Sequence, residues 1–180
     1  MLPLIAEKYA KEIEGILKRF PDKRSAVLPL MHIAQNEYGR MTPEAMREVA
    51  QILDLDPTHV LSLSGFYTLF YEEEVGTYVI EICNDLACAL RGADEFVEMA
   101  SNKLGIQPEE TTPDGLFTLK TVMCLGACDR APMLQCNLKF EENLDEEKFE
   151  QLLARLREEA KAETKPPTVV ERISSYAKAR

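Results

Sequence analysis

The sequence predicts an α+β chain, with a helical bundle over residues 1–75, a small α/β sandwich over 76–160 and a short basic tail over 161–180. Three observations predict it. Apolar residues recur at steps of three and four through the first 75 residues, the period of an α-helix. Near Gly76 this gives way to short β-branched and aromatic runs, the pattern of strands. All five cysteines (Cys83, Cys88, Cys124, Cys128 and Cys136) fall in that second half.

Taken in order, Ile5, Tyr9, Ile13, Ile16 and Phe20 form one helical face, and Pro21 ends that helix. A second stripe, Val27, Leu28, Leu30, Met31, Ala34 and Tyr38, stops at Gly39, a favoured residue just past a helix end. Thr42-Pro43 and Asp56-Pro57 each read as an N-cap followed by proline in the first helical position. The helices they open are expected to bury Met46, Val49, Ala50 and Leu53, then Val60, Leu61 and Leu63. The aromatic run Phe66-Tyr67 and Phe70-Tyr71 reads mainly as core, with Phe70 the candidate for a partner contact.

Beyond Gly76, Thr77 to Ile82 predicts a strand, and Ala93, Phe96, Val97, Ala100 and Leu104 predict a helix closed by Gly105. Phe117 to Met123 predicts a second strand, and Met133 to Phe140 a hairpin turning near Asn137. Phe149, Leu152, Leu153 and Leu156 mark a last amphipathic helix, with Asn143 and Glu146 spaced as a capping box.

Composition narrows the function. The net charge of −10 repels phosphate backbones and anionic lipids, so nucleic-acid binding is not expected. No apolar run approaches a bilayer span, and the charged first twenty residues do not read as a signal peptide. A cytoplasmic, reducing setting is therefore expected, and an odd cysteine count there argues against a disulfide framework. The eight glycines make neither a dinucleotide fingerprint nor a P-loop.

The cysteines carry the chemistry. Cys83 and Cys88 follow the first predicted strand, and Cys124 and Cys128 follow the second. If the two strands are neighbours, both loops meet at one edge, where four thiolates suit zinc or an iron–sulfur cluster. Gaps of four and three residues are wider than the usual zinc knuckle and favour a [2Fe–2S] centre, while a structural zinc site stays open. Gly126 is placed to let backbone approach the sulfurs, and Gly92 reads equally as the same device or as a turn into the next helix. Cys136 stands alone in a predicted strand and reads as core. No Cys-x-x-Cys occurs, which removes a thioredoxin-type active disulfide. An acidic domain disfavours an added electron, which places the potential toward the low end of a range of about −700 to +450 mV.

These cysteine pairs resemble the E-type ferredoxin family of NADH:quinone oxidoreductase, respiratory complex I. So do Leu28-Pro29-Leu30, Ala34-Gln35, Tyr38-Gly39, Phe66-Tyr67-Thr68, Pro113 to Phe117 and Ala131-Pro132. The resemblance spans about residues 5–158. It implies an N-terminal helical bundle followed by a thioredoxin-like α/β ferredoxin domain. It further implies one [2Fe–2S] cluster held by Cys83, Cys88, Cys124 and Cys128. The implied partners are the FMN- and NADH-binding flavoprotein subunit and the peripheral arm of complex I. The chain would then be a redox subunit without a substrate site, peripheral to the inner membrane through the complex. Related chains serve NAD-linked hydrogenases and formate dehydrogenases. Neither Cys136 nor the basic tail is matched by this resemblance.

Overall fold

A computed structural model describes residues 4–162; the basic tail expected over 161–180 lies outside them from residue 163 onward. The chain divides into two compact units, with the division between Glu74 and Val75.

The first unit is helical: α1 Leu4–Lys8, α2 Ala10–Leu17, α3 Val27–Tyr38, α4 Pro43–Leu53 and α5 Pro57–Phe66, with a 3-10 turn at Lys23–Ala26. The expected first helix is thus two pieces, interrupted at Tyr9. The Tyr9 hydroxyl donates to Glu37 on α3 at 2.8 Å, and both first amides of α1 donate to the Glu48 carboxylate of α4. The helical hydrogen bonds run on through Tyr9, whose amide donates to the Ile5 carbonyl and whose carbonyl accepts from the Ile13 amide, both at 2.9 Å. Ile5 and Ile13 are buried, and Tyr9, Ile16 and Phe20 pack beside them, so the apolar face survives the interruption.

Both proline-led helices start as their caps dictate. Thr42 Oγ1 accepts from the Ala45 amide, and Asp56 Oδ1 from the Thr58 amide. Met46, Val49, Ala50, Leu53 and Val60 are buried. Leu61 is not; it is 51% exposed, because Val60 and Ser64, rather than Leu61, carry the buried face of α5. Phe70 follows the core reading of the aromatic run, from which Phe66 departs, and its side chain is not placed for the partner contact. It is buried, with its ring 4.8 Å from that of His32, whereas Phe66 is 75% exposed.

The second unit holds β1 Tyr78–Cys83, α6 Leu86–Ala89, α7 Ala93–Leu104, β2 Phe117–Val122, β3 Leu134–Cys136, β4 Lys139–Glu141 and α8 Glu146–Lys161. The sheet order is β2-β1-β3-β4, with β1 parallel to β2 and antiparallel to β3. A parallel pair needs a crossover, which α6 and α7 supply. Tyr78, Ile80, Ile82, Phe117, Leu119, Leu134 and Cys136 face one side of the sheet. There they pack against Phe96, Ala100 and Leu104 of α7 and Phe149, Leu152, Leu153 and Leu156 of α8. The mixed α+β architecture is the expected one.

The β3–β4 hairpin turns at Asn137 and Leu138, both at positive φ, as a two-residue type I′ loop requires. Asn137 also fastens the hairpin to β1. Its Oδ1 accepts from the Val79 amide, and its Nδ2 donates to the Thr77 carbonyl. The cap of α8 is Asp145, which accepts from the Lys148 amide, rather than Asn143. Asn143 instead sits at φ +52, with its amide donated to the Arg130 carbonyl, so it cannot form the expected capping box.

The aromatic run gives a direct test of which side chains support the first unit. Phe70→Ala is expected to cost about 3–5 kcal/mol, and Phe66→Ala less than about 0.5 kcal/mol. Denaturant melts of the two variants measure this, and equal losses would contradict the assignment.

Candidate metal centre

β1 and β2 run in parallel register with Cys83 opposite Val122, so both strands end at the same edge of the sheet. The Asn84 amide extends the ladder by donating to the Val122 carbonyl at 3.2 Å. Two loops then leave side by side, over residues 84–92 and 123–133.

The first loop turns back at once. Asp85 Oδ1 accepts from the Leu86 amide and opens α6, a single turn that sequence reasoning did not resolve. The Cys88 amide donates to the Asp85 carbonyl at 2.8 Å, and the turn carries Cys88 inward to full burial. Gly92 follows at φ +86 as the N-cap of α7, so its role is that of a turn into the helix. The second loop passes through Gly126 at φ +74 into a 3-10 turn at Cys128–Arg130. A Cβ on Gly126 would meet no protein atom within 4 Å, so backbone conformation rather than close approach requires glycine there.

Cys83 and Cys88 share a small buried cluster with Ala93, Ala131 and Met133, bordered by Val122, Leu125 and Ala127. Burial pushes the Cys88 thiol up to about 12, and the neighbouring Cys83 and Cys128 sulfurs push the same way. Cys128 is partly exposed and Cys124 exposed. Cys124 is nevertheless tied to the group, because the Cys83 Sγ lies 3.4 Å from the carbonyl of Met123, the residue bonded to it. Among the described residues, no three His, Cys, Asp or Glu side chains are gathered closely enough to hold a single metal ion.

Cys136 stands elsewhere, on the sheet face packed by α7 and α8, with burial pushing its thiol up to about 12. Neither histidine belongs to the cysteine unit: His32 stacks on Phe70, and His59 accepts from the Arg24 Nε at 3.3 Å.

The donor set is sulfur alone, on two loops. Burial among apolar walls and other sulfurs holds Cys88 as a thiol in the metal-free protein, and a cationic group beside it would favour its thiolate. A thiolate-ligated iron–sulfur centre meets that condition. Sequence reasoning missed the apolar rim of this edge. Leu86 and Leu90 on the first loop and Met123 on the second all stand exposed, Leu90 at 81%. The i, i+4 spacing of Leu86 and Leu90 was the available signal.

The fold and the paired cysteine loops define a thioredoxin-like domain with a thiol cluster at the carboxyl ends of its parallel strands. Comparison with known proteins narrows the class. Residues 13–157 match the family model of the thioredoxin-like [2Fe–2S] ferredoxins, and the chain belongs to that family. It is 42% identical to the second E-type chain of the NADH-quinone oxidoreductase of Rhizobium meliloti, over 82% of this chain and 88% of that one. It is 41% identical to the corresponding E-type chain of Rickettsia felis, over 78% and 86%. A solved NAD+-reducing [NiFe]-hydrogenase chain has a similar fold, with a TM-score of 0.65 at 20% identity. That match covers 74% of this chain but only 23% of the hydrogenase chain.

The thiols should differ sharply in reactivity. In metal-free protein at pH 8, Cys124 is expected to alkylate first and Cys88 and Cys136 last. With a thiol at about 12, roughly one in ten thousand is ionised at that pH. Mass spectrometry of a timed alkylation reads the order, and equal rates at Cys88 and Cys124 would contradict it.

Proposed function

We propose that this chain is an electron-transfer subunit of NADH:quinone oxidoreductase. In this reading it holds one [2Fe–2S] cluster on Cys83, Cys88, Cys124 and Cys128. It exchanges electrons with the FMN of a partner NADH-binding flavoprotein subunit in the peripheral arm. The observation that carries the reading is the parallel register of Cys83 with Val122, which delivers both cysteine pairs to one edge.

When bound, the cluster supplies a one-electron acceptor and donor. The chain's own residues do the rest. Cys83 and Cys88 form the buried side of the site, with Ala93, Ala131 and Met133 keeping water from it. Cys124 and Cys128 form the side toward solvent. Leu86, Leu90 and Met123 surround that open side with apolar surface, which suits a dehydrated contact with the redox partner. No helix among the described residues is long and apolar enough to cross a membrane, which fits attachment through partner subunits.

Identity of 41–42% to the E-type chains, against 20% to the hydrogenase chain, favours the quinone-reducing complex as host. Cys83→Ala and Cys124→Ala are expected to lose the visible iron–sulfur absorption, and Cys136→Ala to retain it. Absorption spectra of the three purified variants decide this. An intact spectrum in Cys124→Ala would overturn the ligand assignment.

A further inference from the structure

We propose that Arg91 is a positioning residue, tying the two cysteine loops together and placing a positive charge at the rim of the thiol pocket. It thereby governs how firmly a cluster is held and at what potential it is reduced. The inference rests on the cluster reading above.

The Arg91 Nε donates to the Ala131 carbonyl at 3.1 Å, across 40 residues of sequence. Each partner lies three residues beyond a cysteine, Arg91 after Cys88 and Ala131 after Cys128. The Arg91 amide also donates to the Cys88 carbonyl at 3.0 Å, which locks the arginine to the turn carrying that sulfur. Ala131 is buried in the same cluster as Cys83 and Cys88, so its carbonyl belongs to the pocket wall. This hydrogen bond joins loop 84–92 to loop 123–133 from outside the sulfurs, beside the Cys88–Cys128 side-chain contact.

The charges of the two loops single out the same residue. Their cations are Arg91 and Arg130. Arg130 is paired with Glu142 at 2.6 Å and Asp129 at 3.5 Å, so its charge is largely offset. Arg91 has no carboxylate partner among the described residues and uses its Nε on a neutral carbonyl. A cation beside the site stabilises the more negative, reduced state and raises the potential. Loss of the clip frees the ligand loops to part, which speeds release of metal.

Arg91→Lys and Arg91→Gln separate the two effects. Both variants are made in the full chain and compared by iron release to a chelator and by redox titration of the visible spectrum. Arg91→Lys keeps the charge but not the planar Nε donor. It is expected to release iron about tenfold faster, at an unchanged potential. Arg91→Gln is expected to release iron faster and to shift to a more negative potential. Wild-type release rates in both variants, or an unshifted potential in Arg91→Gln, would overturn the proposal. Wild-type iron content, measured first, distinguishes failure of the cluster reading. If the wild type binds no iron, the clip is read in metal-free protein by alkylation of Cys88. Faster alkylation in Arg91→Gln supports the clip, and an unchanged rate overturns it.

Discussion

The parallel pairing of β1 with β2 is the constraint on which the rest of the second unit depends. Side chains alternate along a strand, so a slip of one residue would turn Cys83 from the thiol pocket into the face packed by α7 and α8. The apolar residues fix that register. Tyr78, Ile80 and Ile82 on β1 and Phe117 and Leu119 on β2 all require the helical side. Each such side chain contributes about 1.5–3 kcal/mol when buried. The position of the sulfurs is therefore a by-product of core packing: what holds the sheet also aims the site.

Charge is the second determinant. Residues 76–160 carry 17 acidic and 8 basic side chains, and a thiolate-ligated [2Fe–2S] centre adds a net charge of about −2, or about −3 when reduced. Part of that acidity is paired with cations of the sheet and helices. Glu146 and Glu150 on α8 meet Lys103, and Glu141 meets Arg155 and Lys139. The cysteine loops contain few carboxylates, and Asp85 spends its oxygen on the α6 cap. An excess of negative charge remains in the domain, and it argues for a low potential.

Much of this architecture was legible in the sequence. Periodicity located α3, α4, α7 and α8, and the Thr42-Pro43 and Asp56-Pro57 caps fixed helix starts, because these signals are local. The proximity of the cysteine loops was legible too, given that the two strands are neighbours. What escaped depended on distant partners. The Tyr9 hydroxyl is held by Glu37, 28 positions away, and Phe66 stands exposed while Phe70 packs beside His32, 38 positions away. The cap of α8 moved to Asp145 because Asn143 is held by the Arg130 carbonyl. The Arg91 clip escaped for the same reason, since nothing local marks Ala131 as its acceptor.

The central claim is that the thiol pocket holds a two-iron cluster. It is tested most directly by iron, zinc and acid-labile sulfide analysis of the anaerobically purified chain, with an EPR spectrum after dithionite reduction. The expected result is about two irons and about two sulfides per chain, with a paramagnetic signal on reduction. About one zinc per chain, no labile sulfide and no signal would contradict it, leaving a structural Cys₄ site on the same fold.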